Sequence, residues 1–210
     1  KAEATMSDVL DPENGEFKES LEEEEMMLDF YKNGLVIDLF CNINQKALFH
    51  FRKCLWLLQS ATRKNNLEIK KKNTTDFILE PTINISSEGG DGTVGLAMHD
   101  LIRSSDVPVT TVGLGEVCSA AFIVFLGGAK RLAHENTLFM AHEIAPHLND
   151  LKRQQQENVL EQARKIDELF RKIILRNSTL KPEQLDELQR FETYITAEDA
   201  LRWGLIQRII

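Results

Sequence analysis

Three short segments carry residue types that could act together on an acyl group. The first is Glu88-Gly89-Gly90-Asp91, directly after the apolar run Thr82–Ser87. Two glycines at a strand exit let backbone N–H groups approach a ligand with no Cβ in the way. At a helix N-terminus such donors favour negative charge. A turn that needs positive φ would use the same glycines, and a phosphate loop is disfavoured because no GK[ST] follows. The second is Gly113-Leu114-Gly115-Glu116-Val117-Cys118-Ser119-Ala120-Ala121, where Ser119 stands between a strand and an apolar helix. A serine there serves as a plain N-cap, and it also suits a nucleophile, because the turn lifts the hydroxyl and the next N–H (Ala120) points at the space of a substrate oxygen. The third is Met140-Ala141-His142-Glu143, at the end of the apolar run NTLFM. A lone His there is either a structural hydrogen-bonding residue or a base. Ligands of parallel sheets bind outside the carboxyl ends of the strands. On that rule N–H donors, a hydroxyl and an imidazole converge, which is the set acyl transfer requires.

Alternating strands and helices must position these groups, an α/β pattern. Residues 34–40 (GLVIDLF), 82–87 and 107–115 read as strands, the first a buried parallel one. Helices are expected from Asn44 to about Ala61, over 93–102 and over 119–128. Residues 130–134 and 136–143 read as strands. A long helix spans 149–176 and another 181–191, and Thr196 caps a last helix before the closing strand IQRII. Residues 1–18 form an acidic flexible arm, and 19–210 a single domain. Within it, 19–32 reads as a short helix with Met26, Met27, Phe30 and Tyr31 on one side, and the polar stretch 64–81 as an inserted hairpin or loop. The C-terminal part of the long helix carries Val159, Ala163, Ile166, Leu169, Phe170, Ile173 and Ile174 at helical spacing. Its N-terminal part is polar, so the helix is expected to project from the domain and to serve oligomerisation.

The 210 residues carry a formal net charge of −8. An acidic surface makes nucleic acid and anionic membrane poor partners. No stretch reaches the roughly 18 apolar residues of a spanning helix, and no secretory h-region is seen. Cys41, Cys54 and Cys118 are an odd number with no CxxC pair, so neither a disulfide framework nor a zinc site is expected, and a reducing, cytoplasmic location fits. An organelle stroma or matrix, or a phage-encoded origin, stays open. No cofactor or metal is called for.

Four stretches in register resemble the proteolytic subunit of the Clp protease, the ClpP family: ISSEGGDG (85–92), GLGEVCSAAF (113–122), GGAKRLAHENTLFMAHE (127–143) and YITAEDALRWGLIQRI (194–209). The likeness is good over 83–210, loose over 34–62 and absent from 64–81. It implies a ClpP/crotonase-type α/β fold of stacked parallel β-α units, with 149–176 as a projecting handle helix. It implies Ser119 as nucleophile, His142 as general base, and Gly90 and Ala120 as the oxyanion-hole donors. Gly89, Asp91, Gly92 and Ile144 fall where the family meets substrate. The family's third, acidic member aligns with Glu192, one methylene longer, with Asp186 a more distant fallback. The resemblance further implies a self-compartmentalising serine endopeptidase acting on unfolded polypeptides. Its partners would be copies of itself, in two stacked heptameric rings, and an AAA+ unfoldase, with the arm 1–18 as gate.

This sequence departs from the family in several places. Glu88 replaces a proline, Val117-Cys118 precede the serine, and Ile144-Ala145-Pro146-His147-Leu148 replaces a glycine-rich segment. Cys118 reads as a small buried filler, and Lys130 invites a Ser–Lys dyad. Two alternatives stand beside the peptidase: a weak or inactive structural subunit of a Clp-type ring, and a crotonase-type acyl-CoA enzyme.

Overall fold

The computed structural model describes residues 30–31, 36–72, 80–144 and 152–210. The apolar run near the start forms β2 (Val36–Leu39), with β1 (Phe30–Tyr31) antiparallel beside it. Phe30 and Tyr31 are therefore extended rather than helical, as suits aromatic residues on an edge strand. Met26, Met27 and the arm 1–18 lie outside the described residues.

Helix α1 (Gln45–Lys72) buries Ala47, Phe51, Leu55 and Leu58. It continues through 64–72, where a loop or hairpin is expected. No Gly or Pro occurs between Ala61 and Pro81, and Leu, Glu and Lys are good helix formers. The polarity of that stretch does not break the helix. There follow β3 (Thr82–Ser87), α2 (Gly92–Arg103), β4 (Thr110–Cys118), α3 (Ala120–Phe125), β5 (Lys130–Ala133) and β6 (Leu138–Met140). Then come α4 (Arg153–Arg176), α5 (Pro182–Arg190), β7 (Tyr194–Thr196), α6 (Ala197–Arg202) and β8 (Arg208–Ile209).

The strands order as β1-β2-β3-β4-β5-β8, parallel from β2 onward. β4 serves two partners. Its first half (Thr110–Gly113) pairs with β5 and its second (Glu116–Cys118) with β6, which carries β7 antiparallel on its far side. Gly115, at φ +55°, lies between the halves, and left-handed backbone there lets the strand change partners. Two buried threonines close these joints: Thr111 donates to the Phe125 carbonyl and Thr137 to the Gly113 carbonyl, each at 2.8 Å.

All six residues of α3 are buried. It crosses α2 at Gly95, where an added Cβ would lie 3.0 Å from the Cβ of Ala120. Small residues on both helices permit that approach. The buried Arg131 guanidinium donates to the carbonyls of Leu205, Gly128 and Gly204, tying β5 to the turn after α6. On α4 the buried residues are Ala163, Phe170 and Ile174, whereas Leu169, expected in the stripe, is 44% exposed.

Candidate active site

Ser119 joins β4 to α3 at φ +54° and ψ −125°. Left-handed backbone at a non-glycine residue costs about 1–3 kcal/mol and persists where neighbours fix it. Here its N–H donates to the Met140 carbonyl at 2.8 Å, and its own carbonyl accepts from Phe122 N–H at 3.1 Å. Its side chain makes no cap hydrogen bond, so the plain N-cap role is not the one it takes.

The register that pairs Cys118 with Met140 sends β4 and β6 out of the sheet side by side. The first residue past β4 meets the second past β6: Ser119 Oγ lies 2.8 Å from His142 Nε2, across 23 positions of sequence. His142 Nδ1 lies 2.7 Å from the carbonyl oxygen of Glu143. A carbonyl can only accept, so Nδ1 carries the proton and Nε2 turns its lone pair to the serine hydroxyl. That tautomer is the one a base needs to take the hydroxyl proton.

Ala120 is the first residue of α3, so its N–H is among those the helix leaves without an acceptor. The glycine pair is held by a latch to residue 43. Ile43 N–H donates to the Gly89 carbonyl, and Asp91 N–H donates to the Ile43 carbonyl, both at 2.7 Å. In a parallel ladder the residue between those two directs its own N–H and C=O to the opposite side. The Gly90 N–H takes no part in that latch. Gly89, at φ +110°, leaves no room for a side chain: an added Cβ would lie 2.7 Å from Ser119 Cβ and 3.1 Å from Ala120 N. Ser87 fixes the turn by accepting from Gly89 N–H at 3.1 Å and donating to the Cys41 carbonyl at 2.6 Å.

The other candidates take different places. No hydrogen bond among the described residues joins Glu192 to His142; Glu192 is exposed, on a turn at φ +47°. Asp186 is paired with Arg171, which ties α4 to α5. Asp91 is the N-cap of α2: its carboxylate accepts from Thr93 N–H at 2.8 Å and Val94 N–H at 3.1 Å. The Thr93 hydroxyl and these amides hold its pKa below the usual carboxylate value. Gly92 lies under Ile166, Phe170 and Ile144 and contributes packing space. Lys130 starts β5 opposite Thr110, at the far end of β4 from Ser119, and pairs with Glu80. Burial pushes the Cys118 thiol up to about 11, with Glu116 and Glu88 adding to the shift. It is a neutral filler at neutral pH. Side-chain reading missed the Glu143 carbonyl, because every residue has one. It also missed Asp167 on α4, whose Oδ1 is buried with no donor among the described residues.

The fold and site define an α/β protein of stacked parallel β-α units, with a serine–histidine pair and a free helix-N-terminal amide at one sheet edge. The chain belongs to the Clp protease family, whose sequence model matches residues 36–210. It is 25% identical over 154 residues to the ATP-dependent Clp protease proteolytic subunit 2 of Treponema denticola, covering 69% of this chain and 76% of that one. The corresponding subunit 2 of Leifsonia xyli is 28% identical over 131 residues, covering 60% of this chain and 58% of its own. Among solved structures, a ClpP1 point mutant from Listeria monocytogenes superposes with a TM-score of 0.68 at 24% identity, covering 85% of this chain and 92% of that one. That likeness extends to the fold.

Proposed function

We propose that this protein is a serine endopeptidase in which Ser119 attacks the scissile carbonyl and His142 is the general base. The supporting observation is the 2.8 Å Oγ–Nε2 contact in the reactive tautomer. As the hydroxyl attacks, Nε2 takes its proton and later returns it to the leaving amine, a contribution of about 10²–10⁴-fold. The developing oxyanion falls to the N–H groups of Gly90 and Ala120, each such donor contributing about 2.7–4 kcal/mol. The orienting group on Nδ1 is a neutral carbonyl rather than a carboxylate, so the imidazolium formed in the reaction has less charge compensation than in a full triad. That feature favours a slow enzyme as the second reading.

We further place the chain in a self-compartmentalising homo-oligomer of ClpP type, with stacked heptameric rings taking unfolded polypeptide from an AAA+ unfoldase. Its three free cysteines suit a reducing compartment such as the cytoplasm. Fluorophosphonate labelling of the wild type but not of Ser119→Ala, with native mass measurement of the particle, tests the reading. Equal labelling of both proteins would refute it.

A further inference from the structure

Asp167 occupies a buried stripe of α4. Ala163, Asp167, Phe170 and Ile174 fall at i, i+4, i+7 and i+11, and the three apolar members are buried. The site of the missing Cβ of Gly92 shows what this stripe packs on: Ile166 Cγ2 lies 3.1 Å from it, Phe170 Cζ 3.4 Å and Ile144 Cδ1 3.6 Å. Ile144 is thus held between α2 and α4, and Asp167 faces the backbone at 143–144. Its carboxylate lies where the Ile144 N–H favours the charged form, while Oδ1 is buried with no donor among the described residues. Burial pushes its pKa up and the charge of Glu143 adds to this; Arg171 and His142 act in the opposite sense.

The Ile144 N–H and the Glu143 C=O are two ends of one planar peptide group, and they point in opposite directions. One end faces the Asp167 carboxylate and the other accepts from His142 Nδ1. The groups stand in series from carboxylate to peptide to imidazole to the Ser119 hydroxyl. We propose that Asp167 is a positioning residue for His142, which rests on reading Ser119 and His142 as nucleophile and base. Its carboxylate fixes the Glu143–Ile144 peptide plane so that the carbonyl is aimed at Nδ1. It also polarises that peptide, and bonds in such chains strengthen one another by about 10–30%. A carboxylate on an apolar stripe costs stability, a cost that activity sustains where a site needs it.

The test is the pH dependence of fluorophosphonate labelling for the wild type, Asp167→Asn, Asp167→Ala and Glu192→Gln, with Ser119→Ala as blank. Asparagine keeps an acceptor for the Ile144 N–H but removes the charge; alanine removes both. Asp167→Ala should label about 10–100-fold more slowly, the loss seen when an outer partner of a metal-bound histidine is removed. Asp167→Asn should lose less, and its acid limb should move to lower pH, because the imidazolium loses a nearby negative charge. Native mass and a melting curve check folding, and the isosteric asparagine carries the test if the alanine variant does not assemble. Wild-type rates and acid limbs in both Asp167 variants would overturn the proposal, as would an acid limb that moves with Glu192→Gln and not with Asp167→Asn. An unlabelled wild type would overturn the peptidase reading and this inference with it. A labelled wild type with indifferent Asp167 variants overturns this inference alone.

Discussion

The backbone N–H of Ser119 donates to the carbonyl of Met140 at 2.8 Å, so Ser119 and His142 ride on one strand pair. The bond continues the β4–β6 ladder by one step past Cys118 and Met140. It holds Ser119 at a backbone angle it would not otherwise adopt, and it fixes how far His142 stands from the hydroxyl.

The tautomer of His142 follows from its partners. With Nδ1 donating to the Glu143 carbonyl, the neutral ring should show a protonated Nδ1 and an unprotonated Nε2 in nitrogen-15 NMR. A proton found on Nε2 would mean that the ring cannot accept from Ser119 as it stands.

Gly89 and Gly204 give a matched pair of substitutions. Both have positive φ, but an added Cβ at Gly89 meets Ser119 Cβ at 2.7 Å, whereas at Gly204 the nearest group is Thr179 Cγ2 at 3.9 Å. Gly204→Ala should lose about 1–2 kcal/mol from left-handed backbone alone, with labelling intact. Gly89→Ala should lose at least as much in a melting experiment and should also lose labelling, because Ser119 must move. Equal labelling of the two variants would show that the turn yields without disturbing Ser119.

Asp91 should stabilise the fold in a pH-dependent way. Its folded pKa lies below the ordinary 3.8, so the unfolded chain binds the extra proton and stability rises with pH across that window. The contribution is present above the unfolded value and lost as pH falls through the folded one. Asp91→Ala should cost about 1 kcal/mol at neutral pH, as for other N-caps. The gap between the two unfolding curves should narrow as the solution is acidified below 3.8.

Asp167 should show the opposite sign. Its folded pKa is raised above 3.8, chiefly by burial. Its contribution is therefore fully present below the unfolded value and lost as pH rises through the folded one. Asp167→Asn should be at least as stable as the wild type at neutral pH in denaturant titrations. A less stable variant there would show that the carboxylate is held for the fold.

Much of this architecture is legible in the chain because β-branched runs such as TINISS and glycine-marked strand exits are strong local signals. The same signals lead to Ser119, His142, Gly90 and Ala120. The misread segments fail for identifiable reasons. Residues 64–72 are polar, yet polarity does not end a helix in the absence of Gly, Pro or a competing cap. Phe30 and Tyr31 look helical beside Met26 and Met27, but two residues paired to β2 are governed by their neighbour strand. Glu192 aligns with an acidic position through a soft stretch, and alignment carries no information on where its turn points. Asp167 had a signal: a single acid at i+4 and i−3 from buried apolar residues, on a helix whose other acids stand off the stripe.

The two-partner construction of β4 hangs the site on neighbouring strand exits of one sheet. Ser119, the Ala120 amide and His142 travel with the outer half of β4 and with β6. The Gly90 amide travels with the loop after β3, latched to Ile43. Because Ser87 pairs with Val117, the β3 exit is also tied to the outer half of β4, and any shift of that half carries the glycine turn, the hydroxyl and the imidazole together.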